Sequence, residues 1–257
     1  PGDSPPFTTY NDHGQAPVLL VADHASPYFP AGMNQLGVAD WVLERHVAWD
    51  IGSDELTRYL ADALDAPAVL AGFSRLIVDP NRKLDDRTAF IQVSDGIAIP
   101  GNLDLDEAQK ALRVQSFFEP YHNAIDKRIE RFTANGTIPA FISVHTCTPE
   151  FDRIVRPWHI GVMWDQDPRI AVPLIEKFNS MDEICIGDNE PYSGRHPHDF
   201  TIDHHAEPAG LPHVGIEVRQ DLVRDREGAR KWAGILAGAL AEILDDESLY
   251  QPYPGRP

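Results

Sequence analysis

Residues 19–27 read Leu-Leu-Val-Ala-Asp-His-Ala-Ser-Pro. Leu19, Leu20 and Val21 make an apolar run of strand length, and the polar group Asp23, His24 and Ser26 behind it suits a loop at the strand's carboxyl end. In an open α/β sheet that is where ligands bind. A histidine there can reach a metal or a substrate, whereas one in mid-strand packs.

Working outward, residues 27–37 are rich in Pro, Gly and Asn and read as loop. Asp40 is placed to cap a short helix through about His46, and a second helix follows with Leu56, Tyr59, Leu60, Ala63 and Leu64 on one face. Residues 68–70 and 75–78 read as strands, the second stopped by Pro80, which throws Asn81 and Arg82 into a loop. Residues 84–103 are irregular and long enough for a flap. A helix is expected from Asp104, with Glu107 three residues on for a capping box, to Asn135-Gly136, kinked at Pro120. Strand 140–144 delivers His145-Thr146-Cys147-Thr148-Pro149 at its carboxyl end.

Strand 158–163, helix 170–181 and strand 184–186 lead into a polar loop, 187–211, that holds Asn189, Tyr192, His196, His198, His204 and His205. A last strand, 213–218, carries Glu217, and helix 227–244 closes the chain. This alternation predicts an α/β three-layer sandwich around a mixed, mostly parallel sheet, with residues 1–257 as one domain.

A hydrophobic share of 42% and a charged share of 24% are those of a globular protein, and no apolar run approaches the roughly 20 residues of a membrane span. The formal net charge of -18 speaks against nucleic acid and anionic membrane surfaces as partners, since both are bound through basic patches. An anionic small molecule would need a local pocket of arginines. Cys147 and Cys185 are too few and too far apart for a disulfide framework or a cysteine zinc site. The first nine residues lack a basic region followed by an apolar one, so a cytoplasmic location is expected; a first residue that is proline leaves room for a start upstream.

Two apolar runs thus end in histidine, His24 and His145. Two imidazoles at adjacent strand ends plus one carboxylate would make the open three-ligand set of a catalytic zinc site. Asp50 is the first choice for the carboxylate, since His46 and Asp50 sit four apart and would share a helix face, and Asp23 is the alternative. His46 and Asp50 could equally form a surface or capping pair. Glu217 lies in the apolar run Val214-Gly215-Ile216-Glu217-Val218, where a carboxylate is costly unless paired or functional. It could be a general base, or pair with Arg219 on the same strand face. Arg75, Asn81 and Arg82 form a cluster suited to a carboxylate, unless they sit on a surface loop with Asp85 and Asp86. There is no Gly-x-Gly-x-x-Gly run and no Gly-x-Ser-x-Gly elbow.

Taken together, Asp23-His24-Ala25-Ser26, His46-x-x-x-Asp50-x-Gly52, Ser74-Arg75, Asp79-x-Asn81-Arg82, His145-Thr146-x-Thr148-Pro149, Asn189-x-Pro191-Tyr192-x-Gly194 and Glu217-Val218-Arg219 resemble the N-formylglutamate amidohydrolase family, over about residues 17–245. That family is similar in fold and site plan to the zinc carboxypeptidases and aspartoacylase, a phosphorylase/hydrolase-like sandwich. The resemblance implies one Zn2+, with His24 and His145 as ligands. It implies Glu217 as base, Arg75, Asn81 and Arg82 as carboxylate clamp with Arg75 also facing the oxyanion, and Tyr192 and His205 at the substrate. Position 27, three after His24, is proline where the carboxypeptidase pattern has glutamate, so Asp50 and Asp23 both stay open as the acid. The implied reaction is amide hydrolysis of a small N-acyl amino acid, N-formylglutamate first, to glutamate and formate. The alternatives are a related zinc hydrolase acting on another acyl amide or a peptide end, or a non-catalytic binder of an anionic metabolite.

Overall fold

A computed structural model of the chain describes residues 4–195 and 199–253. His196 and His198 lie outside the described residues. In chain order the strands are β1 (Phe7–Tyr10), β2 (Val18–Ala22), β3 (Ala68–Ala71), the short hairpin β4 (Val93–Ser94) and β5 (Ile97–Ala98), β6 (Ala140–Cys147), a second hairpin β7 (Glu150–Phe151) and β8 (Ile154–Val155), β9 (Ile160–Met163), β10 (Ile186–Asp188) and β11 (His213–Arg219). The α-helices are α1 (Ser53–Leu64), α2 (Glu107–Arg113), α3 (Glu119–Ala134), α4 (Pro168–Asn179), α5 (Phe200–His205) and α6 (Arg226–Leu244).

Seven strands form one sheet in the order β1-β3-β2-β6-β11-β9-β10. The four central strands, β3, β2, β6 and β11, run parallel, while β1 and the β9-β10 pair run against them. Strand side chains alternate between faces, and the two cores follow that alternation. Val18, Leu20 and Ala22 pack on one face with Leu56 and Leu60 of α1, Leu174 of α4 and Leu236 of α6. Leu19, Val21 and Phe141 pack on the other with Tyr121 and Ile125 of α3 and Ile202 of α5. The result is the expected three-layer α/β sandwich with a mixed, mostly parallel sheet. Among the described residues, no helix is long and apolar enough to cross a membrane.

Several local expectations are corrected. Residues 75–78 are not a strand: Ser74 turns the chain by donating through its hydroxyl to Ala48 O (2.8 Å) and accepting from Leu76 N (3.2 Å). Leu76, Ile77 and Val78 are apolar because the turn is buried in the second core. The long helix starts later, at Glu107, with Asp106 and Gln109 forming the capping box. It is interrupted by a π turn at Val114–Phe118, just ahead of Pro120, which has no N–H to donate and crowds the carbonyl four residues back. The 187–211 region contains α5, capped by the Asp199 carboxylate, which accepts from Ile202 N (3.2 Å). No helix joins His46 to Asp50; the preceding turn is a 3₁₀ helix that ends at Glu44. Strand 184–186 is displaced to Ile186–Asp188, and the sheet gains an antiparallel edge strand, β1, that the sequence does not announce.

Two glycines shape the rim of the sheet. Gly161 and Gly187 are register partners on β9 and β10, and a Cβ on either would lie 2.3 or 2.4 Å from the Glu190 carbonyl oxygen. The missing side chains let the 189–194 loop rest directly on the sheet. Asn189 Oδ1 locks that loop by accepting from Gly194 N (2.8 Å) and Trp164 N (3.1 Å). Gly161→Ala is therefore expected to destabilise the protein by about 1–3 kcal/mol, the usual range for overpacking, read as a lowered Tm; an unchanged Tm would show that the loop gives way freely.

Candidate metal centre and active-site cleft

The site grows from strand register. His145 on β6 and Glu217 on β11 are direct partners in a parallel pair, so both side chains project from the same face. On the other side of β6, Val21 pairs with Ser143. The chain leaves β2 after Ala22 and turns, which brings Asp23 and His24 to the same strand ends. Asp50 is delivered there by backbone: its N–H donates to His24 O (2.9 Å).

His24, Asp50 and His145 are all buried and form a group whose ligand atoms lie within 4.8 Å of one another. Both Nδ1 atoms face one carboxylate oxygen: Asp50 Oδ2 is 2.9 Å from His145 Nδ1 and 3.4 Å from His24 Nδ1. Ligands at about 2.0–2.1 Å from a tetrahedral ion sit about 3.4 Å apart, so the spacing suits one small divalent cation. His24 Nδ1 is buried without a hydrogen-bond partner, the state of a nitrogen kept for a ligand. Each outer nitrogen meets a further carboxylate. His24 Nε2 is 2.8 Å from Asp79 Oδ1, and His145 Nε2 is 3.2 Å from Asp23 Oδ2. The Asp79 carboxylate so placed fixes the His24 tautomer and aims its free nitrogen inward, whereas His145 is hydrogen-bonded through its inner Nδ1 to Asp50 and its Nε2 only lies near Asp23. Asp23 is itself held by donation from Tyr121 Oη (2.7 Å) and Thr201 Oγ1 (2.9 Å). Asp23, the alternative acid, thus stands behind His145 while Asp50 stands between the two histidines.

Charge is balanced within this group. Burial drives the Asp23 carboxyl up, but His145 and His24 outweigh it and hold it at about 2. Burial opposes protonation of His145, yet the Asp23 and Asp50 carboxylates raise it well above the ordinary imidazole value; His24 is also raised, by Asp79 and Asp50 against burial and Arg75. Glu217 is different. Burial pushes it up to about 7, and its Oε2 is buried without a hydrogen-bond partner. Arg219 does not pair with it, turning instead to Asp221 (2.7 Å) and to the carbonyls of Arg156 and Pro157.

These residues open into a cleft of about 410 Å³ lined also by His46, Arg75, Asn81, Arg82, Thr148 and Tyr192. Arg75 donates to Asp79 Oδ2 through Nε (3.0 Å) and Nη2 (2.6 Å), and its Nη1 is 3.5 Å from Asp50 Oδ1; it pairs with Asp79, not with Asp85 or Asp86. Asn81 donates its backbone N–H to Asp79 Oδ1 (2.9 Å) and accepts from Thr201 N (2.9 Å). Arg82 donates to Asn81 O (2.7 Å). His46 lies at the mouth, 3.9 Å from Asp95. His205 is not brought to the cleft: it is buried against His122 (2.9 Å) and Asp126 (2.8 Å). The residues that back the site, Asp79, Tyr121 and Thr201, and the buried Arg156 beside Tyr192, have no role assigned from sequence. Asp79 at least belongs to the Asp79-x-Asn81-Arg82 motif; the others give no local signal.

A profile of the N-formylglutamate amidohydrolase family matches residues 16–224. No curated protein matches the sequence. Among solved structures, a gene product of Agrobacterium tumefaciens is 31% identical over 95% of this chain and 97% of that one, with a TM-score of 0.92. The N-formylglutamate amidohydrolase of Ralstonia eutropha JMP134 is 17% identical over 94% of this chain and 98% of that one, with a TM-score of 0.73.

Metal ligation needs neutral imidazoles, whereas the metal-free group holds His24 and His145 protonated above their ordinary value. Metal uptake near neutral pH is therefore expected to release protons and to tighten as pH rises. Calorimetry in buffers of different ionisation enthalpy measures this, and uptake without proton release would contradict it. Asp50→Ala is expected to abolish metal binding, whereas Asp23→Asn weakens it by about 10- to 100-fold, as removal of a supporting partner does; metal content of the purified variants decides.

Proposed function

We propose, for a chain that belongs to the N-formylglutamate amidohydrolase family, that this cleft hydrolyses the amide bond of a small N-acyl amino acid, with N-formylglutamate the first candidate and formate and glutamate the products. The whole chain then acts as one catalytic unit. The observation that carries the reading is the register pairing of Glu217 with His145, which sets an unpartnered, buried carboxylate beside a group able to hold a metal. The donor set of two imidazoles and a carboxylate suits zinc, and leaves a coordination position open.

When bound, zinc supplies Lewis-acid polarisation of the acyl carbonyl and makes a water more acidic. The remaining work falls to side chains. Glu217, with its pKa pushed to about 7, is matched to taking a proton from the attacking water and passing it to the leaving nitrogen at neutral pH. Arg75, aimed by its two bonds to Asp79, faces the developing oxyanion. Asn81 and Arg82 bind a substrate carboxylate, on a loop pinned by Asp79 and Thr201. Tyr192 contributes from the opposite wall. His205 has no part in binding, being packed away from the cleft.

Glu217→Gln is expected to keep its metal while kcat falls by about 10²- to 10⁴-fold; near-normal turnover would remove Glu217 from the role of base. Arg82→Ala is expected to raise KM for carboxylate-bearing substrates far more than it lowers kcat. The overall reading is tested by a panel of N-formyl and N-acetyl amino acids assayed with and without a chelator. Activity surviving complete metal removal would overturn it.

A further inference from the structure

Behind the loop that carries Asn81 and Arg82 runs a chain of ionisable side chains that the reaction does not use. His122 and Asp126 sit on α3 and His205 on α5. His122 Nε2 is 3.0 Å from Pro80 O, His122 Nδ1 is 2.9 Å from His205 Nε2, and His205 Nδ1 is 2.8 Å from Asp126 Oδ1. Both histidines are buried, whereas the Asp126 side chain is about half-exposed. The two imidazoles stack at an interplanar angle of 22°, and the Phe118 and Phe200 rings pack against His122. A leucine would fill such a place at less cost, because a buried polar group is expensive unless it is bonded.

Counting protons fixes what each ring does. The Pro80 carbonyl only accepts, so His122 Nε2 carries a hydrogen. Burial and the neighbouring His205 push His122 down to about 4; it holds no second proton, and its Nδ1 accepts from His205 Nε2. His205 Nδ1 and Asp126 Oδ1 would repel as two bare lone pairs, and the bond to His205 holds the Asp126 carboxyl below its ordinary value. The proton between them therefore rests on His205. His205 donates at both ends, and the neutral His122 ring passes a hydrogen bond on to the carbonyl.

That carbonyl is one edge of a planar peptide unit. The opposite edge, the Asn81 N–H, donates to Asp79 Oδ1 (2.9 Å). The Pro80-Asn81 peptide is thus held between His122 and the carboxylate that orients His24. Asn81 Oδ1 accepts from Thr201 N on α5, and Arg82 donates to Asn81 O. A rotation of this one peptide would displace both cleft-lining side chains at once.

We propose that His122 and His205 are positioning residues: the chain from Asp126 through His205 and His122 fixes the Pro80-Asn81 peptide from behind and so holds Asn81 and Arg82 in the orientation that receives an anionic ligand. This rests on the reading of Asn81 and Arg82 as a carboxylate clamp. Neither histidine touches the ligand.

Two substitutions at one position separate hydrogen bonding from packing. His122→Leu fills the space and removes both bonds, whereas His122→Gln can donate to Pro80 O and accept from His205 at once. KM and kcat for N-formylglutamate are measured together with metal content and with hydrogen exchange of the Asn81 amide. In His122→Leu, KM is expected to rise by up to about 10-fold, what one hydrogen bond contributes, with a smaller change in kcat, unaltered metal content and faster exchange at Asn81. His122→Gln should restore both KM and exchange. Equal KM and exchange in the two variants, or wild-type values in His122→Leu, would overturn the proposal. Should His122→Leu fail to fold, Asp126→Ala at the half-exposed end decides: KM and Asn81 exchange should rise together, and wild-type values would overturn the chain. If the wild type hydrolyses no N-acyl amino acid, or Arg82→Ala leaves KM unchanged, the hydrolase or clamp reading fails by itself, and the Asn81 exchange rates still decide whether the chain holds the loop.

Discussion

One carboxylate oxygen, Asp50 Oδ2, lies between the inner nitrogens of His24 and His145, and the site is built around that contact. Neither histidine is positioned by Asp50 alone. Asp79 hydrogen-bonds the far side of the His24 ring, Asp50 itself hydrogen-bonds His145, and the Asp23 carboxylate lies 3.2 Å from the far nitrogen of that second ring. The three aspartates would be very costly to bury unpaired. They are tolerated because two imidazoles, the Arg75 guanidinium, the Tyr121 and Thr201 hydroxyls and the Asn81 backbone N–H are aimed at them. The network also couples functions: Asp79 orients a ring that could ligate a metal, an arginine facing the cleft and the loop that carries Asn81 and Arg82.

The sheet supplies the other half of the geometry. A parallel register sets Glu217 beside His145, and the antiparallel pairing of β11 with β9 puts Gly161 opposite Glu217. With no side chain at Gly161 or Gly187, the loop bearing Tyr192 settles over the strand ends. Glu217 is left buried yet unclaimed by Arg219, the environment that raises a carboxyl's pKa toward neutrality.

How much of this is legible in the sequence depends on how local the signal is. His24, His145 and Glu217 stand out because each interrupts or ends an apolar strand, and the layer order follows from the alternation of periodicities. The sequence argument for Asp50 runs through a helix face shared with His46, which does not exist; its position comes from a backbone bond to His24. Residues 75–78 look like a strand because burial in a turn and burial in a sheet select the same apolar residues. Tyr121 reaches Asp23 across 98 positions, and Arg156 reaches Tyr192 across 36. Contacts of that span are set by tertiary packing and leave no periodic trace. His205 sits in a polar stretch of sequence, yet it belongs to a helix whose inner face is core.

The arginines of the cleft are embedded in a molecule of net charge -18, and this bears on kinetics more than on affinity. An anionic ligand approaching from solution meets a repulsive far field before it reaches the attractive near field of Arg75, Arg82 and Arg156. The far field is screened over about 10 Å at 0.1 M salt, whereas contacts inside the cleft are screened much less. Ionic strength should then speed the encounter of anions with this protein, the reverse of electrostatic steering, while leaving their residence in the cleft comparatively unchanged.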